Sequence, residues 1–315
     1  MILRSPAAEA ARVAERAQVQ AGARGFQAWL YAVIRTARPR QWPKNLLVFA
    51  APLAGATLGR PDGLAYAIAA AFVFGFASVA VYFVNDVVDA ERDRCHPTKR
   101  TRPVAAGELP AAHAIALAVV CVVAALGIGF GIGEPLLVAA TGGYLVMSFL
   151  YSLVLKHLPV VELVFVASGF LLRVLGGAAA THVRPSVWFL VVCGLGAFLV
   201  AVAKRYTELA ALGPAAARHR PSMRWYSKDM LRAVQYTAAA GMIATYLMWA
   251  IGGDYSAWTR GWHLASALPL ALALVRFSWL TARATARPVE DLIMRDLPMF
   301  GCELAWLLMF ATGLY

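Results

Sequence analysis

The chain has 315 residues, 61% of them hydrophobic and 15% charged, and its 29 basic and 17 acidic side chains give a formal charge of +12. Water-soluble domains hold about 45–50% apolar and about 25% charged residues, so this balance argues against an ordinary cytosolic enzyme. The basic residues fall between apolar blocks, with no zinc-finger spacing and no aromatic-basic strand pattern, so nucleic acid is not the partner.

In chain order, Met1–Gly25 is rich in alanine and arginine and has no long apolar run before a cleavage site. It reads as a cytoplasmic arm, with residues 26–315 as one membrane domain. Nine membrane helices are expected, centred near Val48–Leu58, Ile68–Val84, Ile115–Phe130, Leu137–Val154, Val160–Leu175, Val187–Ala203, Val234–Ile251, Leu264–Leu280 and Leu297–Leu314. Each block approaches the roughly 20 residues that cross a bilayer. With the amino terminus inside, every basic residue except Arg60, Arg173, Arg184 and Arg260 falls on the cytoplasmic side. That bias puts the carboxyl terminus outside and the longer polar connections, around Ala90–Leu109 and Glu208–Arg232, in the cytosol of a multi-pass plasma-membrane protein.

Four dispersed cysteines, Cys95, Cys121, Cys193 and Cys302, lack the paired spacing of a disulfide scaffold or zinc site. His96 and His157 have no ligand partner at metal-binding spacing. Gly142-Gly143 and Gly176-Gly177 read as close helix-packing sites, because no strand-to-helix phosphate loop surrounds them.

The sharpest signal follows the second apolar block, where Asn85 and Asp86 are joined by Asp89 and Asp93. Intervals of three and four place the three aspartates on one helix face. Acidic groups at a membrane boundary are costly unless compensated, and magnesium carrying phosphate oxygens supplies that compensation. Asn85, Asp86, Asp89 and Asp93 are therefore the catalytic candidates, with Asp86, Asp89 and Asp93 as metal ligands. A solvated acidic helix end balanced by Arg92 and Arg94 is the plainer alternative.

Lys99, Arg100 and Arg102 follow the acidic run, and Lys44, Lys156, Lys204 and Arg205 occupy other expected inner segments. All are candidates for phosphate oxygens, although positive-inside topology also accounts for them. Tyr151 and Tyr206 offer hydroxyls to sugar or phosphate, or simply anchor the interface. Glu162, just inside the fifth block, needs a partner, water or a cavity, and Glu208 is a candidate for ribose hydroxyls. Arg173 reads as a lock between helices.

The run Asn85–Asp93 resembles the first acidic motif of the UbiA superfamily, Asn-Asp-x-x-Asp-x-x-x-Asp. Four segments, Arg38–Pro52, Asn85–Gly107, Leu155–Glu162 and Ala203–Leu209, are similar to the branch of that superfamily that acts on decaprenyl phosphate. The resemblance runs from about Arg35 to Tyr315. It implies an all-α bundle of nine transmembrane helices with a cytosolic cap, and a magnesium-bound diphosphate near Asn85, Asp86, Asp89 and Asp93. It further implies transfer of phosphoribosyl from 5-phosphoribosyl 1-diphosphate to decaprenyl phosphate, in synthesis of an arabinan cell-wall precursor. Where the superfamily pattern has a second aspartate-rich motif, this chain has Lys204-Arg205-Tyr206-Thr207-Glu208. That departure speaks against prenylation of an aromatic acceptor, which stays as one alternative beside a non-enzymatic lipid transporter or scaffold. Membrane lipids are expected neighbours, and assembly into a homo-oligomer is left open.

Overall fold

The computed structural model describes residues 25–96, 98–153, 158–213, 216, 221–283, 289, 292 and 295–314. The main helices are α1 (Pro61–Val88), α2 (Ala111–Ile132), α3 (Pro135–Leu153), α4 (Val161–Ala180), α5 (Val187–Leu212), α6 (Lys228–Gly252), α7 (Ala257–Arg283) and α8 (Leu297–Leu314). The all-α expectation holds, but the count of nine spans does not. Among the described residues seven helices are long and apolar enough to cross a membrane: α1 to α5, α7 and α8.

Two expected spans account for the difference. The first becomes a 3-10 helix, Pro39–Phe49, followed by the short helix Ala50–Ala54. Pro43 inside the first piece and Pro52 inside the second each remove a backbone donor, and the chain turns at Gly55, so the apolar block does not wind into one regular helix. Five α-helical residues cover only about 7.5 Å at 1.5 Å each, far less than a bilayer. The other is α6, which has ample length at 25 residues but carries Gln235, Tyr236, Thr245 and Tyr246 among its apolar positions.

Local chemistry marks where several helices begin. Ser186 Oγ accepts from the Phe189 N–H at 3.1 Å before α5, and Ser227 Oγ accepts from the Met230 N–H at 3.1 Å before α6. Asp296 Oδ1 accepts from the Met299 N–H at 2.9 Å and so opens α8. Each bond satisfies an N–H that the helix cannot pair internally.

The chain forms two compact units, one from Met1–Arg40 and Ser78–Val123, the other from Gln41–Ala77 and Ala124–Tyr315. In the first, Ala80, Phe83, Val104, Leu109 and Ala114 form a buried core. Its connection after α1 folds into a small cap of three short pieces, Ala90–Arg94, Lys99–Thr101 and Pro103–Ala106. Gly107 closes the last piece at φ +79°, a backbone angle that costs glycine little.

In the second unit α3 packs on α4, α4 on α5, α5 on α6, α6 on α7 and α7 on α8, and Ala50–Ala54 lies against α4. A β-carbon on Gly177 would come 1.8 Å from the Val48 carbonyl oxygen, and one on Gly176 would come 2.2 Å from the Phe74 ring. Both glycines are therefore close-packing sites, as the sequence suggests. Gly142 and Gly143 are not, because nothing among the described residues lies within 4 Å of a β-carbon at either position.

Candidate active site

The acidic motif is placed by the end of α1. Helix α1 ends at Val88, yet the Asp89 N–H still donates to Asn85 O at 2.9 Å and the Asp93 N–H to Asp89 O at 2.8 Å. The i to i+4 pattern thus runs through the break and keeps the aspartates in helical register. Asp86 and Asp93 are buried and Asp89 is half-buried.

Two guanidinium groups compensate the buried carboxylates. Arg38 pairs with Asp86 Oδ1 and lies over the Tyr82 ring, 5.1 Å from its centroid. Arg102 Nη1 bridges two acids, at 2.7 Å from Asp93 Oδ2 and 3.5 Å from Asp86 Oδ1. The cap is tied to residues 25–37 by Arg35, which donates to Glu108 Oε2 at 2.7 Å and to Thr101 O at 2.5 Å. Arg94 Nε adds a bond to Ala105 O at 3.2 Å.

Arg102 thus turns inward, while Lys99 and Arg100 remain exposed on the neighbouring turn. Arg38 belongs to the run Arg38-Pro39-Arg40 that the sequence marks as basic, but nothing local shows that it meets an acid 48 residues away. Asn85 has a buried side-chain oxygen with no hydrogen-bond partner among the described residues.

Several other predicted site residues meet in the second unit. Glu162, in the first turn of α4, is completely buried. Its Oε1 lies 3.4 Å from Arg205 Nε and accepts a hydrogen bond from Ser222 Oγ at 3.0 Å. Arg205 also pairs with Glu208 one turn further along α5. The guanidinium is shared by two carboxylates, so its first task is to compensate them. Tyr206 Oη accepts from Arg232 at 2.6 Å, and Lys204 Nζ lies 5.9 Å from the centre of the Phe170 ring.

The remaining predicted residues are dispersed. Lys44 Nζ donates to Gln41 Oε1 at 2.8 Å within its own turn, and Tyr151 is half-buried near the end of α3. Lys156 and His157 lie outside the described residues. Arg173 is the helix lock that the sequence proposes: it donates to Asn45 Oδ1 at 2.8 Å, Gly169 O at 2.7 Å and Tyr144 Oη at 3.0 Å.

The second unit also contains a cavity of about 700 Å³, lined by Leu47, Phe170, Phe189, Met242 and Phe277 among others. Glu303 is the charged side chain on that lining. This volume is within the usual range for ligand sites, and the lining favours a hydrocarbon body. The Asp86 and Asp93 oxygens that share the Arg102 guanidinium, and the Asn85 side-chain oxygen, are hard oxygen donors of the kind magnesium takes. Among the described residues no three His, Cys, Asp or Glu side chains converge on one point.

The UbiA prenyltransferase family model matches residues 45–297. A decaprenyl-phosphate phosphoribosyltransferase from Mycobacterium tuberculosis is 37% identical over 279 residues, covering 87% of this chain and 91% of that protein. A protein of the same name from Corynebacterium glutamicum is 34% identical over 287 residues, covering 90% and 86%. A solved UbiA homolog from Archaeoglobus fulgidus has a TM-score of 0.67 at 15% identity, covering 90% of this chain and 98% of that one. The same homolog bound to GPP and Mg2+ gives a TM-score of 0.64 at 16% identity, with the same coverage. At these identities the solved structures establish likeness of fold.

Proposed function

The chain belongs to the UbiA prenyltransferase family, and from that premise we propose that it transfers the 5-phosphoribosyl group of 5-phosphoribosyl 1-diphosphate to decaprenyl phosphate, releasing diphosphate. The observation that carries this reading is the likeness to enzymes of that name along most of both chains. Residues 26–315 act as one membrane transferase domain.

Asp86, Asp89 and Asp93 would hold magnesium, with Asn85 beside them. When bound there, the ion neutralises charge on the departing diphosphate. Arg38 and Arg102 fix the carboxylates of Asp86 and Asp93 in place, so the site is organised before the donor arrives. The acceptor oxygen is already anionic, so no protein base has to remove a proton. Its bond to the anomeric carbon forms as the bond to diphosphate breaks, with inversion at that carbon.

Basic side chains stabilise the shifting negative charge. Lys44, Lys99, Arg100, Arg102, Lys156, Lys204 and Arg205 are the proposed phosphate contacts, with Tyr151, Tyr206, Glu162 and Glu208 serving the sugar and the groups around it. The apolar cavity takes part of the decaprenyl chain, and membrane lipids cover exposed side chains such as Leu268, Val275 and Leu297.

The dense basic charge of residues 90–109 supports a cytoplasmic active site. The test is turnover of 5-phosphoribosyl 1-diphosphate in proteoliposomes across a magnesium titration. Asp86→Asn, Asp89→Asn and Asp93→Asn each remove a charge that compensates the ion. Each should lower turnover at least about tenfold, or about 1.4 kcal/mol of transition-state stabilisation. Near-normal turnover in all three, with unchanged magnesium dependence, would remove the metal site from the mechanism.

A further inference from the structure

The segment from Ser222 to Tyr226 is fastened at two points beside the start of α4. Ser222 is fully buried, and its hydroxyl donates to Glu162 Oε1, the same oxygen that Arg205 Nε approaches. Four residues later, the Tyr226 hydroxyl accepts the Val160 N–H at 2.7 Å. Val160 has φ +62°, which is costly for a β-branched residue and persists only where neighbours hold it.

Between these bonds, Met223 enters a buried cluster with Leu163, Val202, Tyr206 and Leu231. This segment therefore holds Glu162 directly through Ser222 and, through Met223, packs in one cluster with Tyr206, the residue next to Arg205. Neither Ser222 nor Tyr226 stands out in the sequence, because the bonds join positions 60 and 66 residues apart.

We propose that Ser222 and Tyr226 are positioning residues for the phosphoribosyl donor, acting through Glu162 and Arg205. The physical reason is a competition at one oxygen. With the Ser222 hydrogen bond in place, Glu162 Oε1 is shared, and Arg205 is divided between Glu162 and Glu208 in a fixed orientation. Without it, a buried carboxylate loses a donor and draws more strongly on Arg205, turning the guanidinium and the neighbouring Lys204 and Tyr206 away from their working positions. The Tyr226 bond holds the strained Val160 that sets the direction from which Glu162 enters α4. This inference rests on the proposed reading that Lys204 to Glu208 serve the donor.

The experiment measures kcat and both KM values for purified, membrane-reconstituted wild type, Ser222→Ala, Ser222→Thr, Tyr226→Phe, Glu162→Gln, Arg205→Ala and the Ser222→Ala/Glu162→Gln double variant. Ser222→Ala and Tyr226→Phe should each raise the KM for 5-phosphoribosyl 1-diphosphate about fivefold to tenfold. Both should leave the KM for decaprenyl phosphate and kcat within about twofold, and Ser222→Thr should restore donor use. The double variant should be no worse than about twofold beyond Glu162→Gln, because once the charge on residue 162 is gone the loss of the Ser222 donor no longer alters its pull on Arg205. Unchanged donor KM in Ser222→Ala, equal loss toward both substrates, or fully additive effects would each overturn the positioning role. Failure of the parent reading looks different: wild type would not consume the donor at all, or Arg205→Ala would leave donor KM untouched.

Discussion

Removing Arg102 separates charge compensation from metal binding at the aspartates. Its Nη1 lies 2.7 Å from Asp93 Oδ2 and 3.5 Å from Asp86 Oδ1, while the Asp86 side chain is 2% and the Asp93 side chain 5% exposed. At an effective dielectric near 20, each attraction is about 5–6 kcal/mol before desolvation. The Arg102 side chain is 28% exposed, so solvent screening and its own desolvation reduce the net loss on removal to about 2–3 kcal/mol. In Arg102→Ala, Asp86 keeps Arg38, but Asp93 loses its charged partner among the described residues.

On the proposed reading that Asp86 and Asp93 hold magnesium, the ion and Arg102 compete for the same oxygens. The variant should therefore melt earlier without metal, recover more than wild type when magnesium is added, and bind the ion about tenfold more tightly. Turnover should fall because a proposed phosphate contact is gone, and Arg102→Lys should be intermediate, with charge but no fork. The assay is a thermal melt and a magnesium titration on detergent-purified protein, alongside turnover. Unchanged or weaker magnesium affinity would refute the sharing of oxygens by Arg102 and the ion.

Other outcomes follow from packing, charge and sidedness. Gly177→Ala should sharply reduce the yield of folded protein in detergent, because the new methyl meets the Val48 carbonyl at 1.8 Å; a normal yield and melt would show that the segment can move aside. Arg276 donates to both Asp296 oxygens and lowers the Asp296 pKa, so that residue's contribution to stability is present above the ordinary carboxylate range and is lost as pH falls through the lowered value. Asp296→Asn should accordingly flatten the acid limb of the melting profile, and an unchanged limb would contradict the linkage. Cys95 is exposed, so a membrane-impermeant maleimide should label it in inside-out vesicles and not in intact cells, with the reverse for Asp62→Cys. Labelling of both from one side would overturn the sidedness.

What the sequence made legible was mostly local. The 3-4 spacing of Asp86, Asp89 and Asp93 depends only on helical periodicity, and the helix register survives the break at Asp89. Gly176-Gly177 could be read because adjacent small residues permit close approach, although the same rule misreads Gly142-Gly143. Hydropathy also misjudged the block after Asn45: composition records its apolar character, but Pro43 before it and Pro52 within it interrupt its winding.

Pairings across long separations were hidden. Arg38 meets Asp86 and Ser222 meets Glu162 only after the chain folds, and no local pattern marks either partner. Arg205 shows the same limit in reverse. Its basic neighbourhood suggests a phosphate ligand, whereas two carboxylates already share its guanidinium.

The most direct measurement offers purified, reconstituted protein two donor–acceptor pairs in separate magnesium-containing reactions: 5-phosphoribosyl 1-diphosphate with decaprenyl phosphate, and a prenyl diphosphate with an aromatic acid. Product mass should show decaprenyl phosphate carrying one phosphoribosyl group, with diphosphate released, in the first reaction alone, and Asp86→Asn should abolish most of that product. A prenylated aromatic product, with decaprenyl phosphate recovered unchanged, would contradict the assigned transfer.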